Sequence, residues 1–226
     1  MVRAAVFDLS NVSFGYRSTI PALSGVSCRV LAGEKIAVVG ANGAGKTTLL
    51  KLLAGQLAPS SGRLQTPESG GVAPGLARHV ALVNSNFHTT LSEGQKKRVS
   101  LAAMLALQPP VILLDEPLAG LDAIGRRWFI DIVNELKKSD KTVVVGTHDL
   151  VLAELAADRL LVLGEDHRLL GDGPSPSLLK DRDLLVRAGL LHEHVHTHSG
   201  TTHRHLHPLF PHEDHDHHQD DERRTE

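Results

Sequence analysis

The stretch Gly40-Ala41-Asn42-Gly43-Ala44-Gly45-Lys46-Thr47-Thr48 follows the pattern G-x-x-x-x-G-K-[ST]. Each residue type in it suits a polyphosphate. Gly40, Gly43 and Gly45 let successive backbone N–H groups curl around anionic oxygens, with Asn42 inside the same loop. A helix starting near Thr47 adds the positive end of its dipole. Lys46 brings a point charge to the β- and γ-phosphates, and the Thr47 hydroxyl, with Thr48 beside it, is a hard oxygen ligand for Mg²⁺.

A second motif completes the chemistry. Val111-Ile112-Leu113-Leu114-Asp115-Glu116 reads as a buried strand that ends in two carboxylates. Asp115 is placed to hold the hydration shell of Mg²⁺, and Glu116 to polarise a water for in-line attack on the γ-phosphate. Taken singly, the first motif could be a glycine turn and the second a solvated acidic turn. Together, with a strand before the glycines and a helix after them, they point to a site that binds and hydrolyses a nucleoside triphosphate.

The elements that must carry these groups read as an α/β domain. Lys35–Val39 is a buried strand running into the glycine loop, followed by a helix from about Thr47 to Ala54. Val111–Asp115 and Thr142–Val145 are apolar runs of the kind that parallel strands show when covered on both faces. Helical patterns near 124–137 and 150–157 alternate with them, which implies right-handed crossovers. The first thirty residues alternate apolar and polar types between turns and suggest antiparallel strands. Residues 56–78 read as turns around one short strand, His79–Val83 as a further strand, and Ser92 to about Leu107 as a helix stopped by Pro109-Pro110.

Composition narrows the function classes. The 226 residues are 41% hydrophobic, enough for one sizeable core, and a formal net charge of −2 offers no basic field for nucleic acid. Cys28, the single cysteine, excludes an internal disulfide framework and a cysteine-based zinc module. The longest apolar runs fall far short of the roughly 18 residues a membrane span needs, and Asp8 interrupts the stretch a signal peptide would require, so a cytosolic protein is expected.

Further motifs give the chain a family resemblance. Leu91-Ser92-Glu93-Gly94-Gln95 resembles the signature sequence of ATP-binding-cassette (ABC) ATPases. Asp115-Glu116-Pro117, Ala119-Gly120-Leu121-Asp122 and Thr147-His148-Asp149 match further motifs of that family in order, and Phe14-Gly15-Tyr16 is similar to its adenine-stacking aromatic. The resemblance spans residues 5 to about 188. It implies a P-loop NTPase core with a mostly parallel sheet, an N-terminal antiparallel β subdomain, and ATP with Mg²⁺ as ligands. It also implies a head-to-tail dimer, either a homodimer or a pair with a paralogous ATPase, in which Ser92 and Gly94 of one subunit contact the γ-phosphate held by the other. Asp122 joins the nucleotide-binding set, His148 the catalytic set with Glu116 and Lys46, and Tyr16 stacks on adenine. Independently of the family, Ser92 and Gln95 make a capping box, so the signature opens a helix whose first amides can face a phosphate. Glu93 stands where the family more usually has glycine.

Two departures from the family stand out. Its usual glutamine would fall at Asn84, Ser85 or Asn86, and none of these is Gln. Ser85 and Ser92 then lie seven positions apart, where family members insert a helical subdomain several dozen residues long, so that subdomain is essentially absent. Nucleotide binding is expected to survive its loss. Hydrolysis, and above all coupling to membrane subunits, are the steps on which the loss acts.

The composition changes near Gly189, dividing the chain into an ATP-binding domain (1–189) and a tail (190–226). Residues 192–226 hold 11 of the 15 histidines and only four aliphatic or aromatic side chains, a composition expected to stay disordered when unliganded. His194, His196 and His198, and His215, His217 and His218, alternate with carboxylates in a way that suits Co²⁺, Ni²⁺ or Zn²⁺. Gly94–Ala102, Lys141–Leu150 and Asp181–Leu191 look most like the energy-coupling-factor ATPases of cobalt or nickel uptake. The resemblance therefore implies a cytoplasmic ATPase, peripheral on the inner face of the membrane, that powers partner membrane subunits. A zinc or manganese importer ATPase is one alternative. A nucleotide- and metal-binding regulator, or degenerate cassette without transport coupling, is the other.

Overall fold

The structure, a computed structural model, describes residues 3–17, 20–66, 80–83, 108–198 and 201–208. Two antiparallel strands come first, β1 (Ala5–Phe14) and β2 (Leu23–Leu31), followed by β3 (Lys35–Val39), α1 (Lys46–Leu53) and β4 (Ser61–Gln65). The chain continues through β5 (Val80–Val83), β6 (Val111–Asp115), α2 (Ala123–Lys138), β7 (Thr142–Thr147) and α3 (Leu150–Ala156). It ends in β8 (Arg159–Leu163), β9 (Leu169–Pro174), the short helices α4 (Ser175–Leu178) and α5 (Arg182–Arg187), and the strands β10 (Leu191–His198) and β11 (Thr201–Pro208). The expected helix from Ser92 lies outside the described residues.

Six strands form the central sheet in the order β5-β6-β7-β3-β8-β9, all parallel except β9, which pairs antiparallel with β8. A second sheet, β2-β1-β4, is antiparallel throughout. This is the α/β P-loop cassette arrangement with a mixed, mostly parallel sheet. Every residue of β3 and β7 is buried, which is why both read as unbroken apolar runs.

Alternation within those strands builds two layers. Ile36, Val38, Val111, Leu113 and Val144 point to one face, where they pack with Leu49, Leu50 and Leu53 of α1 and with Phe7, Leu9 and Val12 of β1. Ile112, Leu114, Val143 and Val145 point to the other and meet Phe129, Val133 and Leu136 of α2 and Leu152 of α3. Ala37, Val39, Leu160 and Val162 extend that second layer onto Ala153 of α3 and Leu184 and Leu185 of α5. Cys28 on β2 belongs to this packing rather than to any chemistry, since burial pushes its thiol up to about 12 and keeps it protonated.

The two edges of the central sheet carry different chemistry. At the amino edge the Lys35 ammonium is nearly inaccessible and donates to the carbonyls of Gly33 (3.0 Å), Ser139 (2.8 Å) and Lys141 (2.6 Å). Burial lowers its proton affinity, yet three carbonyls satisfy its three donors. Arg159 nearby bonds Asp172 and Glu34, locking β8 to β9 and to the turn before β3.

The tail departs from the expectation of a chain without structure. β10 and β11 pair antiparallel, with His192 opposite His207, His194 opposite His205 and His196 opposite His203. Low hydrophobicity argues against a core, but a strand pair needs only backbone partners and a period of two, and histidine recurs at every second residue in both segments. Residues 209–226, with His215, His217 and His218, lie outside the described residues.

Lys35→Ala is expected to cost about 3 kcal/mol of stability, because it leaves three carbonyls without their donor as well as a void. Urea unfolding checks this, and a loss below about 0.5 kcal/mol would remove Lys35 from the role of strand-edge clamp.

Candidate active site

At the carboxyl edge the ends of β3, β6 and β7 lie side by side, with Val39 opposite Thr147 and Asp115 opposite Gly146. That register delivers the glycine loop, the acid pair and Thr147-His148 to one place. The loop leaves β3 at Gly40 and turns through Gly43 (φ 88°) and Gly45 (φ 109°), both in the left-handed region that favours glycine. Close packing demands glycine as well. A Cβ at Gly40 would lie 2.6 Å from the Leu163 carbonyl oxygen, and one at Gly45 would collide with the Ala22 carbonyl oxygen. Gly45 caps α1 without a side chain, so no side-chain oxygen occupies the first amides of the helix.

Lys46 opens α1 and is 5% exposed. Its ammonium donates to the carbonyls of Gly40 (2.9 Å) and Ala41 (3.1 Å) and stands 3.1 Å from the Glu116 carboxylate. The next residue, Thr47, donates its hydroxyl to Asp115 at 3.1 Å. Burial raises the affinity of Asp115 for its proton; the Thr47 bond opposes that rise and the neighbouring Glu116 charge adds to it. A hydroxyl and a carboxylate so close together are the hard oxygen donors that Mg²⁺ takes, so the residues present fit that ion.

Glu116 has φ 42°, unusual for a residue that carries a Cβ, and its N–H donates to the Gly146 carbonyl at 2.8 Å. The strained turn swings its carboxylate back over the site. There His148 Nδ1 lies 3.1 Å from it and the Thr147 hydroxyl 3.4 Å. Lysine, histidine and threonine thus hold one carboxylate beside the phosphate loop. Asp149 then caps α3 by accepting from the N–H groups of Val151 and Leu152, which fixes the chain just after His148.

A cavity of about 420 Å³ opens over the loop, lined by Asn42, Gly43, Gly45, Lys46, Thr47, Thr48 and Glu116. Tyr16 forms one wall, 59% exposed, its ring edge-on to Phe14 at 5.1 Å and its hydroxyl 3.4 Å from that of Thr48. An exposed aromatic face beside a phosphate cradle is what a purine can stack on. A larger hollow of about 730 Å³ lies at the amino edge around Lys35 and Arg159, but it is lined largely by the charge network that clamps the strands.

Not every expected residue joins the cavity. Asp122 is the N-cap of α2, accepting from the Gly125 N–H at 2.7 Å, and does not line it. Ser92 and Gly94 lie outside the described residues. Four lining residues escaped the sequence reading: Ile20, Pro21 and Ala22 just before β2, and His167, the one that carries a titratable side chain, in the turn between β8 and β9. The only signal for His167 was a histidine in the polar break Gly164-Glu165-Asp166-His167 between two apolar runs.

Among the described residues no helix is long and apolar enough to cross a membrane. The family described as "ABC transporter" matches residues 23–87 and again 71–119, two overlapping stretches rather than one. The cobalt import ATP-binding protein CbiO of Rhodobacter capsulatus is 32% identical over 234 aligned positions, covering 79% of this chain and 82% of that protein. Those 234 positions exceed what 79% of 226 residues can fill, so the alignment includes dozens of positions at which the relative has residues and this chain has none. The energy-coupling factor transporter ATP-binding protein EcfA of Methanothermobacter thermautotrophicus is 29% identical, covering 82% of this chain and 76% of that protein. Among solved structures, cbiO1 of Clostridium perfringens, part of the cbiONQ complex, is 25% identical with a TM-score of 0.65, covering 82% of this chain and 95% of that one. With the phosphate loop, the acid pair and His148 converging as described, the chain belongs to the ABC transporter family and is one of its ATP-hydrolysing cassettes.

Proposed function

We propose that this chain is the ATPase subunit of a transition-metal importer, for cobalt or nickel, and that it powers membrane subunits from the inner face of the membrane. The observation that carries the catalytic part is the Glu116 carboxylate held between Lys46 and His148 in the lining of the phosphate cavity. In this reading Glu116 accepts the proton of the attacking water, and His148 orients that carboxylate and the γ-phosphate. Lys46 exchanges its loop carbonyls for phosphate oxygens, and Tyr16 stacks on adenine. Thr47 and Asp115 would hold Mg²⁺, which would neutralise negative charge developing on the phosphates. Two copies, or this chain and a paralogue, close head to tail, with Ser92, Gly94 and Asp122 completing the partner's site.

The metal assignment rests on different support. CbiO of Rhodobacter capsulatus is named for cobalt import, and the tail of this chain concentrates histidine. The β10–β11 register sets His194 opposite His205 and His196 opposite His203, and imidazole is a ligand type suited to Co²⁺, Ni²⁺ or Zn²⁺. His198, His215, His217 and His218 extend the ligand set along the tail.

A second reading has its own observation. The missing helical subdomain and the absence of glutamine at Asn84, Ser85 and Asn86 remove the parts that in the family couple nucleotide to membrane helices. A regulator that binds ATP and metal without driving transport fits that loss. Pull-down of the membrane subunits, compared with a variant carrying a restored helical insert, separates the two. Capture by the chain as it stands supports the importer subunit, and capture by the restored variant alone supports the regulator.

Two outcomes test the chemistry directly. Glu116→Gln is expected to lower steady-state ATP hydrolysis by about 10²-fold or more while ATP binding persists. Unchanged turnover would take Glu116 out of the base role. Titration of the full chain with Co²⁺, Ni²⁺ or Zn²⁺ is expected to release heat that is lost when His194, His196, His198, His215, His217 and His218 are replaced by alanine. Heat that survives those substitutions would place the metal elsewhere on the chain.

A further inference from the structure

We infer that His167 is a nucleoside-contacting residue: it donates its Nε2–H to the base or ribose of the bound nucleotide and makes the cavity selective for more than the triphosphate. The inference rests on the reading of the 420 Å³ cavity as an ATP site and adds a contact to it.

Three observations lead there. His167 lines that cavity together with Tyr16 and the phosphate loop, on the wall formed by the β8–β9 turn. Its backbone has φ 64°, the left-handed region, where a residue with a Cβ is strained and glycine is not. Its Nδ1 is buried and has no hydrogen-bond partner among the described residues. Strain alone would favour glycine here, and an unpaired buried nitrogen adds a further cost, so the imidazole needs a reason to be present.

The local bonds decide which nitrogen can act. The His167 N–H donates to the Gly164 carbonyl at 3.0 Å, and its carbonyl accepts from the Ser24 N–H at 2.9 Å. The second bond ties the turn to β2, next to the Ala22-Leu23 segment that packs against Gly45 of the phosphate loop. The ring is therefore anchored relative to the loop. A proton on Nδ1 would be a buried donor without an acceptor, so we assign the neutral ring as Nε2–H, which leaves a donor for the cavity.

Donor chemistry also suits a nucleoside. The phosphates have Lys46 and the loop amides, while Tyr16 offers only a stacking face, and stacking tolerates any base. Adenine presents ring nitrogens as acceptors and ribose presents hydroxyl oxygens, so an N–H on this wall can read either.

The test is calorimetry on the full chain with magnesium and three probes: ATP, 2′-deoxyATP and inorganic tripolyphosphate. His167→Gly is expected to weaken ATP binding about 5- to 10-fold and to leave tripolyphosphate binding unchanged. Because it relieves the strained φ, it is also expected to hold or raise the thermal midpoint. Asn tolerates the same backbone and keeps an N–H donor, so His167→Asn is expected to recover part of the affinity. If the acceptor is the ribose 2′-hydroxyl, wild type and His167→Gly bind 2′-deoxyATP equally; if it is the base, the gap between them persists. An ATP affinity within twofold of wild type in His167→Gly would overturn the inference and leave the ATP site standing. An equal loss for tripolyphosphate would overturn it as well, by showing that the loop itself had been disturbed. A wild type that binds no ATP would overturn the reading of the cavity and this inference with it.

Discussion

The pairing of β3 with β7, and of β7 with β6, is the constraint on which the rest of the site depends. Three strands from distant parts of the chain end at one edge, so Thr47 reaches Asp115, and Lys46 and His148 both reach Glu116, without any covalent tie. Hydrophobic layers on both faces hold that register. A slip of one residue would turn Val143 and Val145 toward the opposite layer and carry the catalytic loops out of line.

Within that frame the site keeps its charges paired. The Lys46 ammonium is nearly buried and rests on two loop carbonyls and the Glu116 carboxylate. A buried cation without such partners would be costly, and a triphosphate offers it stronger ones. Glu116 pays for its position in backbone strain, and its N–H bond to the Gly146 carbonyl holds that turn in place. Asp115 carries the opposite tension, since burial disfavours the charge that a magnesium ion would favour. The other edge of the sheet shows the contrast: Lys35 and Arg159 are also held by several partners, but those partners belong to the frame itself.

Much of this was legible in the sequence because the informative residues lie at fixed spacing on buried strands. The motif at residues 40–48 named its own strand and helix, and Val111–Leu114 announced the acid pair that follows. Period-two burial could not show that Glu116 would turn back toward Lys46, since that depends on a positive φ and on the partner strand. His167 stayed hidden for a related reason: its place beside the cavity comes from β8 pairing with β3, a contact more than a hundred residues away in sequence. The β10–β11 pair was missed because the alternation there was read as a ligand array alone, although histidine at every second residue marks a strand as well. The signature around Ser92 and Gly94 and the shortened segment before it lie outside the described residues, so their roles rest on the family likeness.

The claim that everything else requires is that backbone amides and the Lys46 ammonium hold a triphosphate at the carboxyl edge of the sheet. Isothermal titration of Mg·ATP into the purified chain and into its Lys46→Ala variant tests it most directly. The account predicts saturable heat for the wild type and its loss, or a fall in affinity of about 10²-fold, in the variant. Equal affinity in the two proteins, or no heat in either, would contradict it.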